Sequence, residues 1–130
     1  MNNKFFQFLG LTKKAGKLIE GYNQCEDALS HGRGTLIILS EESATNTKDK
    51  FKRFSIKYNI PFIEGVSNEI LGRCLGRAEI NVLCVNDKRM SSKLLSLWNE
   101  VNEEKKEEQE NEENKDDKEN EINEENKVDE

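Results

Sequence analysis

The chain has 130 residues, room for one domain of ordinary size, which excludes a multidomain enzyme. Its net charge of −6 averages two unlike parts: residues 1–98 carry fifteen Lys and Arg against ten Asp and Glu, and residues 99–130 carry five against sixteen. The first part is basic and apolar enough to close a core, whereas the second has only Val101, Ile122 and Val128 to bury and cannot offset its ordering entropy.

Phe5, Phe6, Phe8, Leu9 and Leu11 recur at the 3.6-residue period behind Asn2 and Asn3, predicting a helix over 3–14 that stops at Gly16. Lys17 to Glu20 reads as a short strand ending at Gly21. Asn23 with Glu26 reads as a capping pair that opens a second helix, ending near Gly32. Thr35-Leu36-Ile37-Ile38-Leu39-Ser40 is a continuous apolar run of the kind buried on both faces of a sheet. After the polar stretch 41–45 a third helix is expected over 46–58. Phe51, Phe54, Ile56 and Tyr58 supply its apolar contacts, while Lys48, Lys50, Lys52, Arg53 and Lys57 stay in water.

Pro61, the one proline, starts a strand that runs to Glu64. Ser67 caps a fourth helix through Leu75, and Gly76 ends it. Residues 80–85 form the fourth strand. A last helix follows Asp87, carries Met90, Leu94, Leu95, Leu97 and Trp98, and fades into the tail. Helices alternating with strands over short connections predict an α/β fold, a three-layer α-β-α sandwich. The expected organisation is a basic domain over 1–98 and an acidic, low-complexity, disordered tail over 99–130.

No run of 18 apolar residues offers a membrane span, and the N-terminal residues lack the pattern of a secretory signal. Cys25, Cys74 and Cys84 are odd in number and form no CxxC pair. Buried reduced thiols in a cytoplasmic protein are expected, with no metal site. Neither a phosphate-binding GxxxxGK[ST] loop nor a GxGxxG turn is present, and Gly32-Arg33-Gly34 is a helix stop and turn. His31, the one histidine, sits in the last turn of a predicted helix and faces its dipole; Glu41 and Glu42 lie in a solvated loop. These features point to a non-catalytic, cofactor-free protein. A small basic domain with exposed amides and cations fits a nucleic-acid module.

The stretch from Phe8 to Gly21, with its Gly10-Leu11-Thr12-Lys13-Lys14-Ala15-Gly16-Lys17 core, resembles the short bacterial, YlxQ-type members of the L7Ae/L30e ribosomal-protein superfamily. The resemblance continues through Ala28-Leu29, Leu36 to Ser43, Asn46-Thr47-Lys48, Tyr58 to Pro61, Leu71-Gly72-Arg73, Val82 to Asp87 and Lys93 to Leu97. It spans nearly all of residues 4–98 and leaves the tail outside.

That resemblance implies a four-stranded mixed sheet within the sandwich and binding to kink-turn RNA, ribosomal RNA among the candidates, by a monomer. Two elements would carry it. The first is Gly21 to Asp27, with Gly21, Asn23, Gln24 and Asp27 at the motif positions; the second is Gly76 to Ile80, with Arg77, Ala78 and Ile80. Lys48 matches a further contact position. The chemistry suits these roles: a glycine admits close backbone approach, and a helix N-terminus offers N–H groups to phosphate. Asn and Gln present donor and acceptor together to a purine edge, and bent RNA exposes such edges. Arg77 can stack on a base or clamp a phosphate, and Ile80 can lie against an extruded base.

Departures from the family pattern are also visible. Gln24 stands where many members have glutamate, and Asp27 where they have lysine; Glu20 and Glu79 add negative charge. These residues keep a rival open, a protein-interaction module on the same fold with RNA binding weakened or lost.

Overall fold

The computed structural model describes residues 3–101; the remainder of the expected acidic tail lies outside the described residues. Eight elements follow in order: α1 (Asn3–Lys14), β1 (Leu18–Glu20), α2 (Tyr22–Ser30), β2 (Leu36–Ser40), α3 (Thr45–Tyr58), β3 (Phe62–Val66), α4 (Asn68–Leu75) and β4 (Val82–Val85). A fifth helix, α5, occupies 88–101. Its start is capped by Asp87, whose carboxylate accepts from Met90 N–H at 2.9 Å.

The strand order is β1-β4-β2-β3, with β4 antiparallel to both neighbours and β2 parallel to β3, so the sheet is mixed. Side-chain alternation builds the layers. Leu36, Ile38, Leu83 and Val85 point to one face, where Phe5 and Leu9 of α1, Leu71 and Leu75 of α4, and Leu94 and Leu97 of α5 cover them. Ile37, Leu39, Val82 and Cys84 point to the other, under Cys25 and Leu29 of α2 and Phe51 of α3. β2 is buried at every position, as its unbroken apolar run requires. Residues 3–98 form a three-layer α-β-α sandwich.

The end of β3, the start of β4 and the placement of Ile56 differ from expectation. β3 runs two residues further, to Val66, because its register against β2 slips at Leu39/Ser40 and Gly65 takes a φ of 97°. The irregularity returns Val66 to the face of Ile63, where it joins the core. β4 starts at Val82, not at residue 80. Ile56 supplies no core contact: it is 82 % exposed, on the solvent side of α3 opposite Phe51.

Cys25 and Cys84 are fully buried and Cys74 half-buried, all unbridged. Cys25 Sγ donates to Ile19 O at 3.4 Å, and the adjacent Cys84 thiol, together with burial, pushes the Cys25 thiol well above the usual range. Among the described residues no helix is long and apolar enough to cross a membrane.

Candidate nucleic-acid interface

β1 passes into α2 without a connecting loop. Gly21 makes the junction with φ 100° and ψ 155°, a region that L side chains avoid. It is the N-cap of α2 and offers no side-chain acceptor. The expected Asn23–Glu26 capping pair is therefore absent: Asn23 lies exposed inside the first turn, and Glu26 binds Lys50 of α3. A consequence is chemical. The first intrahelical bond runs from Cys25 N–H to Gly21 O at 3.0 Å, leaving the N–H groups of Tyr22, Asn23 and Gln24 without an intrahelical acceptor.

The second segment, 76–81, is held against α4. Gly76 ends the helix in the left-handed region, Arg77 N–H donates to Gly72 O at 2.7 Å, and Ile80 N–H donates to Asn68 O at 3.2 Å. Gly72 lies under the loop so closely that a Cβ there would meet Glu79 Cα at 2.6 Å. The backbone itself is the packing surface.

A polar cluster fixes the floor between these segments. Asn81 Oδ1 accepts from Ser40 Oγ at 2.6 Å and from Asn68 Nδ2 at 3.2 Å. Ser43 Oγ lies 3.1 Å from Ser40 Oγ and donates to Asn81 O at 3.3 Å. Asn68 Nδ2 also donates to Glu79 at 3.3 Å, and Asn68 N–H donates to Glu42 at 2.9 Å. The end of β2, the start of α4 and the entry to β4 are thus joined by hydrogen bonds, with Ser40 and Ser43 buried. At the rim, Glu20 accepts from Arg77 Nε and lies 3.1 Å from Lys13 Nζ, which also donates to Leu75 O at 2.7 Å.

The result is a groove of about 480 Å³. Gly21, Arg77 and Ile80 line it, as do Tyr22, Ser43, Thr47 and Asn81, which sequence reasoning did not single out. Ile80 contributes little side-chain surface: it is 7 % exposed and packs with α1, α4 and α5. Asn23 and Gln24 follow Tyr22 on the exposed first turn of α2, Lys48 follows Thr47 on α3, and exposed Ala78 follows Arg77. These four flank the groove without lining it. Asp27 stands a further turn along α2, 3.4 Å from Arg33 and 3.5 Å from His31. His31 Nδ1 lies 2.8 Å from Asp27 O at the C-cap of α2, the dipole contact its position predicts.

Charge within the lining is mostly negative, with Glu20, Glu42 and Glu79 against Arg77. Just outside, Glu26 holds the Lys50 ammonium above its ordinary range, with a smaller contribution from Tyr22, whose ring lies 5.4 Å below it. Tyr22 was legible only as the residue beside the glycine. The serine–asparagine cluster had no local signal, because Ser40 and Asn81 are 41 positions apart.

Comparison with known proteins places this geometry in a family. The model of the ribosomal protein L7Ae/L30e/S12e/Gadd45 family matches residues 3–96. The chain belongs to that family. The L7Ae/L30e match takes in both groove segments and α1 to β4. RNA-binding protein YlxQ of Bacillus subtilis (strain 168) is 30% identical over 94 residues, 72% of this chain and 94% of that protein. A solved structure of a protein with unknown function from Bacillus halodurans C is 35% identical, with a TM-score of 0.69 over 72% of this chain and 95% of its own. The Giardia lamblia 15.5kD RNA binding protein shares the L7Ae/L30e fold at 14% identity, with a TM-score of 0.58 over 71% and 85%.

Proposed function

We propose that this protein binds structured RNA of the kink-turn kind at the groove between Gly21 and Arg77, without catalysis, in the cytoplasm and in connection with the ribosome or translation. The observation that carries the proposal is the meeting of the glycine junction and the 76–81 loop on one groove. Family membership and the RNA-binding relative support it.

The chemistry divides among the segments. N–H groups at the start of α2 face outward as phosphate donors, favoured by the positive end of the helix dipole. Asn23 and Gln24, both exposed, offer paired donor and acceptor groups to the edges of sheared G·A pairs. Gly21 has open space where a Cβ would stand, so a sharply bent backbone can approach. Arg77 spends Nε on Glu20 and keeps its other guanidinium donors for a base or phosphate.

Titrating isotope-labelled protein with a kink-turn RNA tests the site by amide shifts. Perturbations should concentrate at 21–24, 47–48 and 76–81. Binding without shifts at those residues would reject the groove. The three groove carboxylates favour a second occupant, a cationic protein segment; a protein silent towards RNA would leave that reading standing.

A further inference from the structure

The groove that the RNA-binding proposal uses is a poor attractor of phosphate by itself, because it places three carboxylates around one guanidinium. The positive charge of the domain lies elsewhere. α3 carries Lys48, Lys50, Lys52, Arg53 and Lys57 against Asp49 alone, which is four of the five net positive charges of residues 1–98. This helix starts at the groove, where Ala44 and Thr47 contribute to the lining, and runs away from it across the sheet.

Its cations are not equivalent. Lys50 is paired with Glu26, and Lys52 lies 3.5 Å from Glu64. Arg53 and Lys57 are exposed and have no carboxylate partner among the described residues. They stand four positions apart, one turn of helix and about 6 Å along its axis, so both face the same side. Lys57 Nζ sits 5.3 Å above the Tyr58 ring, which stacks on Phe54 with an interplanar angle of 17°. Two cations without carboxylate partners on a supported ridge, on a helix that begins beside a groove whose lining is net negative, have the form of a phosphate track.

We propose that Arg53 and Lys57 hold the backbone of an RNA stem that extends from the groove along α3, supplying the electrostatic affinity that the groove itself lacks. This rests on the RNA-binding proposal above and adds a second contact region to it. The stem is read by its phosphates alone, so the track contributes affinity without sequence preference.

The experiment compares the full chain with the R53Q/K57Q double variant on two kink-turn RNAs, one with short stems and one with a stem lengthened by about a helical turn. A second double variant, R89Q/K93Q, removes two exposed cations from α5 on the opposite face of the sheet. For the parent chain, the longer stem should tighten binding and steepen the salt dependence by nearly two units in log–log slope, about 0.9 per phosphate contact. R53Q/K57Q should lose that gain, roughly tenfold at about 50 mM salt, and match the parent within about twofold on the short RNA. R89Q/K93Q should behave like the parent on both. Short-RNA binding with no gain from the longer stem would overturn the track alone. Equal losses in the two double variants would reduce the effect to net charge and also overturn it. Failure of the parent chain to bind either RNA would overturn the functional proposal itself.

Discussion

Arg77 Nε donates to the Glu20 carboxylate, joining two segments that lie 57 residues apart in the chain across the mouth of the groove. Glu20 is the more buried partner, with its side chain 11% exposed against 53% for Arg77. Lys13, 3.1 Å away, completes a three-residue charge cluster that ties α1, β1 and the 76–81 loop together. The same contact that shapes the rim also restrains the one guanidinium lining the groove.

Glu20→Gln should therefore have opposite effects on stability and binding. Loss of a mostly buried carboxylate between two half-exposed cations should cost about 1–2 kcal/mol, discounted for screening at the exposed partners. Released Arg77, in a groove with one carboxylate fewer, should bind kink-turn RNA several-fold more tightly. Thermal melts and gel shifts on one preparation check both. Lower affinity with lower stability would show that Glu20 acts only by positioning Arg77.

Gly72 and Gly10 form a matched pair. At Gly72 a Cβ meets loop backbone at 2.6 Å, so Gly72→Ala must push the 76–81 loop off α4. The expected cost is about 1–3 kcal/mol in chemical denaturation, together with weaker RNA binding. At Gly10, inside α1, the space where a Cβ would stand is open to 4 Å, and Gly10→Ala should be neutral or stabilising by up to about 1 kcal/mol. Equal effects at the two positions would contradict the packing described.

Asp27→Lys replaces an exposed anion on α2 that now neutralises Arg33 at 3.4 Å. The change adds positive charge and frees Arg33. RNA binding should tighten by about 1–2 kcal/mol at low salt, with a salt slope steeper by about one unit. Stability should change by less than about 1 kcal/mol, because the pair is exposed. Unchanged affinity across the salt series would place Asp27 outside the interface.

The elements were largely legible because they rest on local signals. The apolar run 36–40 gave a fully buried strand, and Ser67 and Gly76 cap α4 at both expected ends. Misses occurred where backbone geometry or distant partners decide. Gly21 starts α2 by its φ, so a side-chain capping rule placed the start two residues late. Gly65 carries β3 past an apparent stop. At the site, Gly21 and Arg77 could be named from the family motif, but the pairing of Arg77 with Glu20 could not. The Ser40–Ser43–Asn68–Asn81 cluster assembles only in three dimensions.

The acidic segment offers an electrostatic prediction from sequence alone. Residues 102–130 hold fifteen carboxylates and five lysines, and residues 1–101, to which they are joined, have a net charge of +4. Covalent attachment sets their effective concentration at roughly millimolar, in competition with RNA phosphate. Truncation after Val101 should strengthen RNA binding several-fold at about 50 mM salt, with the gain fading as screening increases. Coincident salt curves for the two lengths would assign the segment no part in binding.

The central claim is that the groove between Gly21 and Arg77 recognises bent RNA and not RNA in general. It is tested most directly by the affinity for a kink-turn RNA with tandem sheared G·A pairs and a three-nucleotide bulge, against a plain duplex of equal length at matched salt. Preference for the kink-turn of at least about tenfold, roughly 1.4 kcal/mol, is predicted. Equal affinity for the two RNAs would contradict it.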